Sequence, residues 1–448
     1  MLIVKIVLGL FGLGIVVFFH ELGHFLAARL VGIHVEAFSI GWGNPILKKK
    51  IGDVEYRLGM FPVGGYCKMK GETDYNEAWE NMRNGVKPEK GSYLAASPAA
   101  RILVSFAGPF FNVVLAVLIL SFIWGVGFET TTLPNKIVLS SEIDGGYNPA
   151  DIAGIKTGDI IKEINGKKIY NYTELRESII VNPDKNLLIT VERNGFEYNL
   201  NVTPSLDKST GAGRIGIYPW IDPVIGNIEN NSAAQRAGLL PGDRIISVNE
   251  NPVYNSEEFE KLITQEQESY VVKYERPGYR NEVTLTPSDI ENGFGFYWEI
   301  LESRTPSLSI PAAVAKGTQE SIKTLAVSIK SLGLLFKGID LTQAVSGPVR
   351  ITYMMGDFAA QGFGQNFGAG LHIFFNFIAI ISIALGIMNM LPLPILDGGM
   401  IILFAVEWIR GKPISPKVIS VFQTCGMVII FGLMIFALFG DIMFFTRQ

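Results

Sequence analysis

Four stretches of this chain are so long and apolar that they decide its architecture. They lie at residues 2–30, in the charge-free run 102–128, within 358–396 and within 418–440. Each supplies the roughly 20 apolar residues that a helix needs to cross a bilayer. The third contains no acidic or basic residue except His372. The first, with Lys5 ahead of its apolar run, has the outline of a signal peptide. Cleavage there would discard the one close pair of histidines in the sequence, so a retained span is expected. Hydrophobic residues make up 48% of the 448, and they concentrate at the two ends. A net charge of −4 gives no basic surplus for nucleic acid. Of two cysteines, Cys67 and Cys425, the second sits in an apolar run, so no disulfide framework is expected.

Lysine and arginine in the short loops set the expected orientation. Lys48, Lys49, Lys50, Arg57, Lys68 and Lys70 lie between spans one and two, and Arg410, Lys412 and Lys417 between spans three and four. Both loops should be cytoplasmic. The central region and both termini should then face the other side.

That central region, about 133–306, is polar, strand-rich and repeated. Ala153-Gly154-Ile155-Lys156-Thr157-Gly158-Asp159 leads to Ile161, Ile164 and Asn165. Ala237-Gly238-Leu239-Leu240-Pro241-Gly242-Asp243 leads to Ile245, Val248 and Asn249. Each copy continues into a helix-like stretch, 172–181 and 256–264, and ends in strands finishing Thr203-Pro204 and Thr286-Pro287. The pattern resembles PDZ domains, in which the glycines bracket a turn and the aspartate caps it. These residues should build the fold, with any function in a groove between strand and helix that accepts a peptide as an added strand. Farther on, Lys316, Lys323, Lys330 and Lys337 recur every seven residues among Ile322, Leu325, Ile329, Leu332 and Leu335. That spacing reads as a helix along the membrane surface; the alternative is a helix packed on its neighbour.

Inside the first span stands FFHELGHFLAAR, residues 18–29. His20 and His24, four apart, share one helix face and can hold one ion. Glu21 sits where it can reach a water activated by that ion and act as general base. Zinc takes such ligands and keeps a position open in catalytic sites. A tethered, soluble-type metalloprotease would instead show a charged outer face on this helix. Ionisable groups are costly within a membrane and point to function there. A third ligand is needed, and Asp397 fits: it follows the long uncharged run at a helix end broken by Pro392 and Pro394. His34 and His372 read as interface or packing residues.

His20-Glu21-Leu22-Gly23-His24 together with Asn389-x-x-Pro392-x-Pro394-x-x-Asp397-Gly398 resembles the site-2 protease family of intramembrane zinc metalloproteases. The paired PDZ-like copies match its bacterial members with a tandem PDZ pair. Phe38–Gly43, Phe61–Met69, Ala107-Gly108-Pro109-Phe110-Phe111-Asn112 and Val345-Ser346-Gly347-Pro348 extend the resemblance along the chain. It implies one Zn2+ per chain, held by His20, His24 and Asp397, with Glu21 as base and Asn389 close to the substrate or oxyanion. It also implies cleavage of single-pass membrane proteins already trimmed by another protease, among them an anti-sigma factor and remnant signal peptides. The setting implied is a bacterial inner membrane, with periplasmic PDZ domains that filter by size or contact peptides. Residues 54–69 alternate enough for a hairpin bent at Gly64-Gly65, in the family a membrane-entering β element. That element is expected to pair with unwound substrate. Gly108, Pro109 and Asn112 are expected to serve helix packing. A non-catalytic PDZ scaffold is the competing reading, and a complete metal motif argues against it.

The fold expected is a polytopic α-helical membrane protein of four transmembrane helices, with two inserted PDZ-like α+β domains and a membrane-associated β-hairpin. The divisions are 1–32 (first span), 33–96 (cytoplasmic or membrane-entering β region), 97–128 (second span), 129–208 and 209–305 (PDZ domains). They continue with 306–357 (amphipathic linker), 358–396 (third span), 397–417 (cytoplasmic loop) and 418–448 (fourth span and C-terminus).

Overall fold

Backbone polar groups find no partner in lipid, so an apolar run there must close its own hydrogen bonds as a helix. Among the residues described in the computed structural model, four helices are long and apolar enough to cross a membrane: Val4–Leu30, Pro98–Val126, Phe367–Asn389 and Lys417–Met443. The described residues are 2–71, 80, 88–131, 133–208, 210–263, 269–286, 294–300, 302–334, 347–365 and 367–446. They divide into two units, one formed by the chain up to Phe128, by Thr305–Gly333 and by the part after residue 340, the other by Glu129–Arg304 with Leu334.

The first unit begins with α1 (Leu2–Leu30), strands β1 (Val35–Ile51) and β2 (Val54–Met69), and α2 (Pro98–Val126). Ser97 caps α2 by accepting the Ala100 N–H at 3.2 Å, with Pro98 in the first turn. The strands differ from the expected hairpin. Residues 54–69 form one strand whose partner is β1, and the tight turn is Gly52-Asp53. Both strands bend, so Ala37–Ile40 finds partners in Lys68–Gly65 and also in Glu55–Leu58. Gly64, at φ +86°, lies at the β2 corner. Gly23 lets α1 approach α2 closely: a Cβ there would stand 2.3 Å from the Ala107 carbonyl oxygen.

The second unit contains two modules of the same design. In the first, β3 (Ile137–Leu139), β4 (Ile160–Ile164), β5 (Lys167–Lys168), helix α3 (Tyr172–Ile180), β6 (Leu187–Arg193), β7 (Phe196–Val202) and β8 (Ile217–Pro219) follow one another. Four strands form a sheet in the order β5-β4-β6-β7, and β8 pairs antiparallel with β3. The second module repeats this with β9 (Ile225–Ile228), β10 (Arg244–Val248), β11 (Asn251–Pro252), helix α4 (Ser256–Ile263), β12 (Tyr270–Arg276), β13 (Tyr279–Leu285) and β14 (Phe296–Trp298). Its sheet runs β11-β10-β12-β13, and β9 pairs antiparallel with β14. Alternating Ile, Leu and Val side chains fill the first small core and are joined in the second by Phe259, Tyr270, Tyr274 and Phe294. Asp159 and Asp243 cap turns, accepting from Lys156 and Leu240 N–H at 2.8 Å. Each is also gripped by an arginine, Arg193 and Arg276, which binds both carboxylate oxygens and donates to a glycine carbonyl, Gly154 or Gly238. Pro287 and Thr264 lie outside the described residues.

The first unit resumes with α5 (Ile310–Leu334), α6 (Pro348–Gln365), α7 (Phe367–Asn389), α8 (Asp397–Arg410) and α9 (Pro416–Thr446). As in the alternative left open by the sequence, α5 packs on a neighbouring element, α2. Its stripe of small residues, Ala313, Gly317 and Ser321, is buried, and a Cβ at Gly317 would meet the Ser121 nitrogen at 2.5 Å. Small residues let two helix backbones close up, and Trp124 adds a 2.8 Å bond from its indole N–H to Glu320. Leu335, Lys337, Val345 and Ser346 lie outside the described residues. The apolar run from Phe358 is shared by α6 and α7. The expected loop 397–417 instead carries α8, which has Asp397 in its first turn and Gly411 in the left-handed conformation at its end. Arg101 of α2 forms a buried ion pair with Glu407 of α8. On α9, Asp441 accepts from the N–H groups of Gly347 (2.8 Å), Val349 (3.1 Å) and Arg350 (3.2 Å) at the start of α6.

Candidate metal centre

His20 and His24 are one turn apart on α1, and their rings meet edge to face with centroids 4.8 Å apart. Their Nε2 atoms are 3.2 Å apart. Asp397, brought in by the first turn of α8, sets Oδ2 3.3 Å from Nε2 of His20 and Oδ1 3.5 Å from Nε2 of His24. The turn that delivers it has Pro394 followed by Ile395 at φ +79°, closed by a 3.2 Å bond from the Leu396 N–H to the Leu393 carbonyl. That position normally takes glycine, so a β-branched residue is held there under strain. Gly398 and Gly399 let the helix start against its own preceding loop: Cβ atoms there would lie 2.3 Å from the Met390 oxygen and 2.1 Å from the Leu393 oxygen.

The three side chains fit a metal. Their candidate ligand atoms all lie within 4.8 Å of one another. A tetrahedral zinc site with N and O ligands at about 2.0–2.1 Å has edges of about 3.3 Å, which the separations of 3.2, 3.3 and 3.5 Å match. The Nδ1 of His24 faces the Val104 carbonyl oxygen of α2 at 2.8 Å. An oxygen there accepts only, so the proton is on Nδ1 and the Nε2 lone pair points into the cluster.

Glu21, beside His20 on α1, reaches toward β2. The Cys67 backbone amide hydrogen-bonds its carboxylate. A methyl group at Gly65 would meet the Ser39 oxygen at 2.7 Å, Val17 at 2.9 Å and Glu21 Cγ at 3.0 Å. Gly65 thus lies against Glu21, and Gly64 against the Trp42 ring, where a Cβ would stand 2.2 Å from the indole nitrogen. Asn389, at the end of α7, places Nδ2 3.3 Å from His20 Nε2. His372 lies apart from this cluster, its ring stacked on Phe128 at 4.2 Å. His34 is engaged through its backbone, with Gly91 and Lys70.

Sequence reasoning missed the part played by α2. Val104, Gly108 and Asn112 follow at intervals of four along its face toward the histidines. Val104 offers its carbonyl to His24, and Asn112 lies 3.1 Å from His20 Nδ1. A Cβ at Gly108 would stand 2.3 Å from His24 Nε2. A backbone carbonyl has no signature in a sequence. Asn112 had one, as a buried amide in an apolar run, and read only as a packing residue.

Comparison with known proteins identifies the family of the chain. The profile of Peptidase family M50 matches residues 8–433. The chain is 36% identical over 446 residues to a putative zinc metalloprotease of Treponema pallidum, covering 98% of this chain and 99% of that protein. It is 30% identical over 447 residues to a putative zinc metalloprotease of Borreliella burgdorferi, covering 98% of each. It is also 30% identical over 456 residues to the regulator of sigma-E protease RseP of Escherichia coli, covering 96% of each. The chain belongs to peptidase family M50 and is a membrane zinc metalloprotease of site-2 type.

Proposed function

We propose that this protein hydrolyses peptide bonds within the transmembrane segments of single-pass membrane proteins, using one zinc ion per chain held by His20, His24 and Asp397. The observation that carries this reading is the convergence of both Nε2 atoms and the Asp397 carboxylate at 3.2–3.5 Å, with Glu21 beside them on a membrane helix. Bound there, zinc supplies Lewis acidity, bringing the pKa of a water to about 7 and polarising a carbonyl. Glu21 accepts the proton of the attacking water and returns it to the leaving amine. The Asn389 amide donates to the substrate oxygen as charge develops on it.

A helical substrate hides its peptide bonds in its own hydrogen bonds and must unwind first. The Gly65–Met69 segment of β2 is suited to receive the unwound chain as an added strand. It pairs with β1 on one side, while the Cys67 amide on the other meets Glu21. With Cys425 replaced by serine, cross-linking from Cys67 to successive cysteines along a substrate is expected to alternate with a period of two. A helical period, or no cross-link, counts against strand addition.

The two modules read as a tandem PDZ pair on the periplasmic side, with the metal centre toward the cytoplasm. The lysines and arginines of the loops next to the first, second and fourth spans support that orientation. In each module a strand lies against a helix, the arrangement that this reading requires: Tyr172 of α3 donates to the Ile217 carbonyl of β8 at 2.9 Å, and Phe259 of α4 packs on Phe296 and Trp298 of β14. The relative named regulator of sigma-E protease supports an anti-sigma factor as one substrate class, and the family resemblance adds prior trimming by another protease.

The test is to purify the chain in detergent, measure zinc per chain, and follow cleavage of a single-pass membrane protein with and without a chelator. One equivalent of zinc is expected, with cleavage lost on chelation and restored by zinc. Metal-free protein that cleaves as well as loaded protein overturns the proposal.

A further inference from the structure

Asn112 is wholly buried on α2, and among the described residues its Oδ1 has no hydrogen-bond partner. Its amide lies 3.1 Å from Nδ1 of His20, the ring nitrogen turned away from Asp397. One end of this buried amide is therefore without a partner whichever way it is turned, and the choice between the two falls to what His20 must do. The two ends of an amide have nearly the same shape, and which end meets His20 is set by the hydrogen-bond network. If the nitrogen faced Nδ1, His20 would have to carry its proton on Nε2. That proton would point into the cluster, 3.2 Å from the His24 Nε2 lone pair. With the oxygen facing Nδ1, the oxygen gains a donor and the NH2 group takes the open place. His20 then adopts the tautomer that the Val104 carbonyl already imposes on His24 at 2.8 Å.

We propose that Asn112 is a positioning residue whose side-chain oxygen accepts the Nδ1–H of His20, so that both imidazoles present Nε2 lone pairs to zinc. The inference rests on the reading that His20, His24 and Asp397 hold the metal. Two contacts from α7 hold Asn112 in place. Ser382 Oγ donates to its backbone carbonyl at 2.8 Å, and a Cβ at Gly386 would meet its Cβ at 3.4 Å. Partners of this kind fix ring orientation and raise ligand basicity, and their loss lowers metal affinity by about 10–100-fold.

Full-length wild type, Asn112→Ala and Asn112→Asp, purified in detergent, are compared by zinc competition against a chelator. Asn112→Ala should bind zinc about 10–100-fold more weakly. Asn112→Asp, which only accepts at that place, should stay within several-fold of wild type. Aspartate as weak as alanine, or alanine as tight as wild type, overturns the inference while leaving the metal reading intact. Wild type that binds no zinc overturns both. Should the alanine variant fail to fold, the wild type alone decides. In the imidazole nitrogen NMR spectrum of the metal-free chain, His20 should show the Nδ1–H tautomer. The Nε2–H tautomer overturns the inference.

Discussion

Glu21→Gln is expected to keep its zinc and to lose about 10²–10⁴-fold in turnover. The replacement changes one oxygen for an NH2 group of nearly the same shape. The packing against Gly65 is therefore conserved, and none of the three converging ligand side chains is touched. What disappears is the ability to take a proton from the attacking water and to hand it to the leaving amine. The Cys67 amide, which meets the carboxylate in the wild type, can still meet the amide oxygen of glutamine. Metal analysis and single-turnover cleavage of one membrane substrate, run on the same preparations, separate the two effects. Cleavage at the wild-type rate would remove Glu21 from the chemistry. Loss of zinc together with activity would make it a structural support instead.

Much of this centre could be read from the chain because the physics was local. A spacing of four puts His20 and His24 on one helix face whatever surrounds them. Asp397 stood out because it ends a long uncharged run at Pro392 and Pro394. The spans were legible because a bilayer fixes the length of apolar helix that it accepts. What failed to show depended on contacts between distant segments. The partner of β2 is β1, and nothing in 54–69 itself says so. In α5 the lysine heptad drew attention to the wrong face. The buried stripe is Ala313, Gly317 and Ser321, small residues whose meaning appears only when Ser121 and Gly125 of α2 lie opposite. The loop expected after the third span holds α8, because the Asp397 that marks the site is also a favourable first-turn residue for a new helix. The same local logic that found Asp397 thus left the element carrying it unseen.

Gly108→Ala should lower zinc affinity by about a hundredfold, against what alanine does for the helix itself. In a helix interior alanine is favoured over glycine by about 1 kcal/mol, so α2 alone should gain from the change. The new methyl group would nevertheless stand 2.3 Å from His24 Nε2, 2.6 Å from its Cε1 and 2.8 Å from His20 Cε1. Neither ring has room to give way. His24 is tied to the Val104 carbonyl at 2.8 Å and His20 lies 3.1 Å from the Asn112 amide, both on the helix that carries the intruding group. The strain must move a ring out of the cluster or push α2 off α1, where Gly23 packs against the Ala107 carbonyl. Gly125→Ala is the control on the same helix. Its added Cβ finds nothing nearer than the Ala313 Cβ at 3.8 Å, an ordinary contact, so zinc affinity and turnover should be unchanged. If Gly108→Ala bound zinc as tightly as wild type, the rings would not lie against α2 in the working enzyme. The face made by Val104, Gly108 and Asn112 would then have no part in shaping the centre.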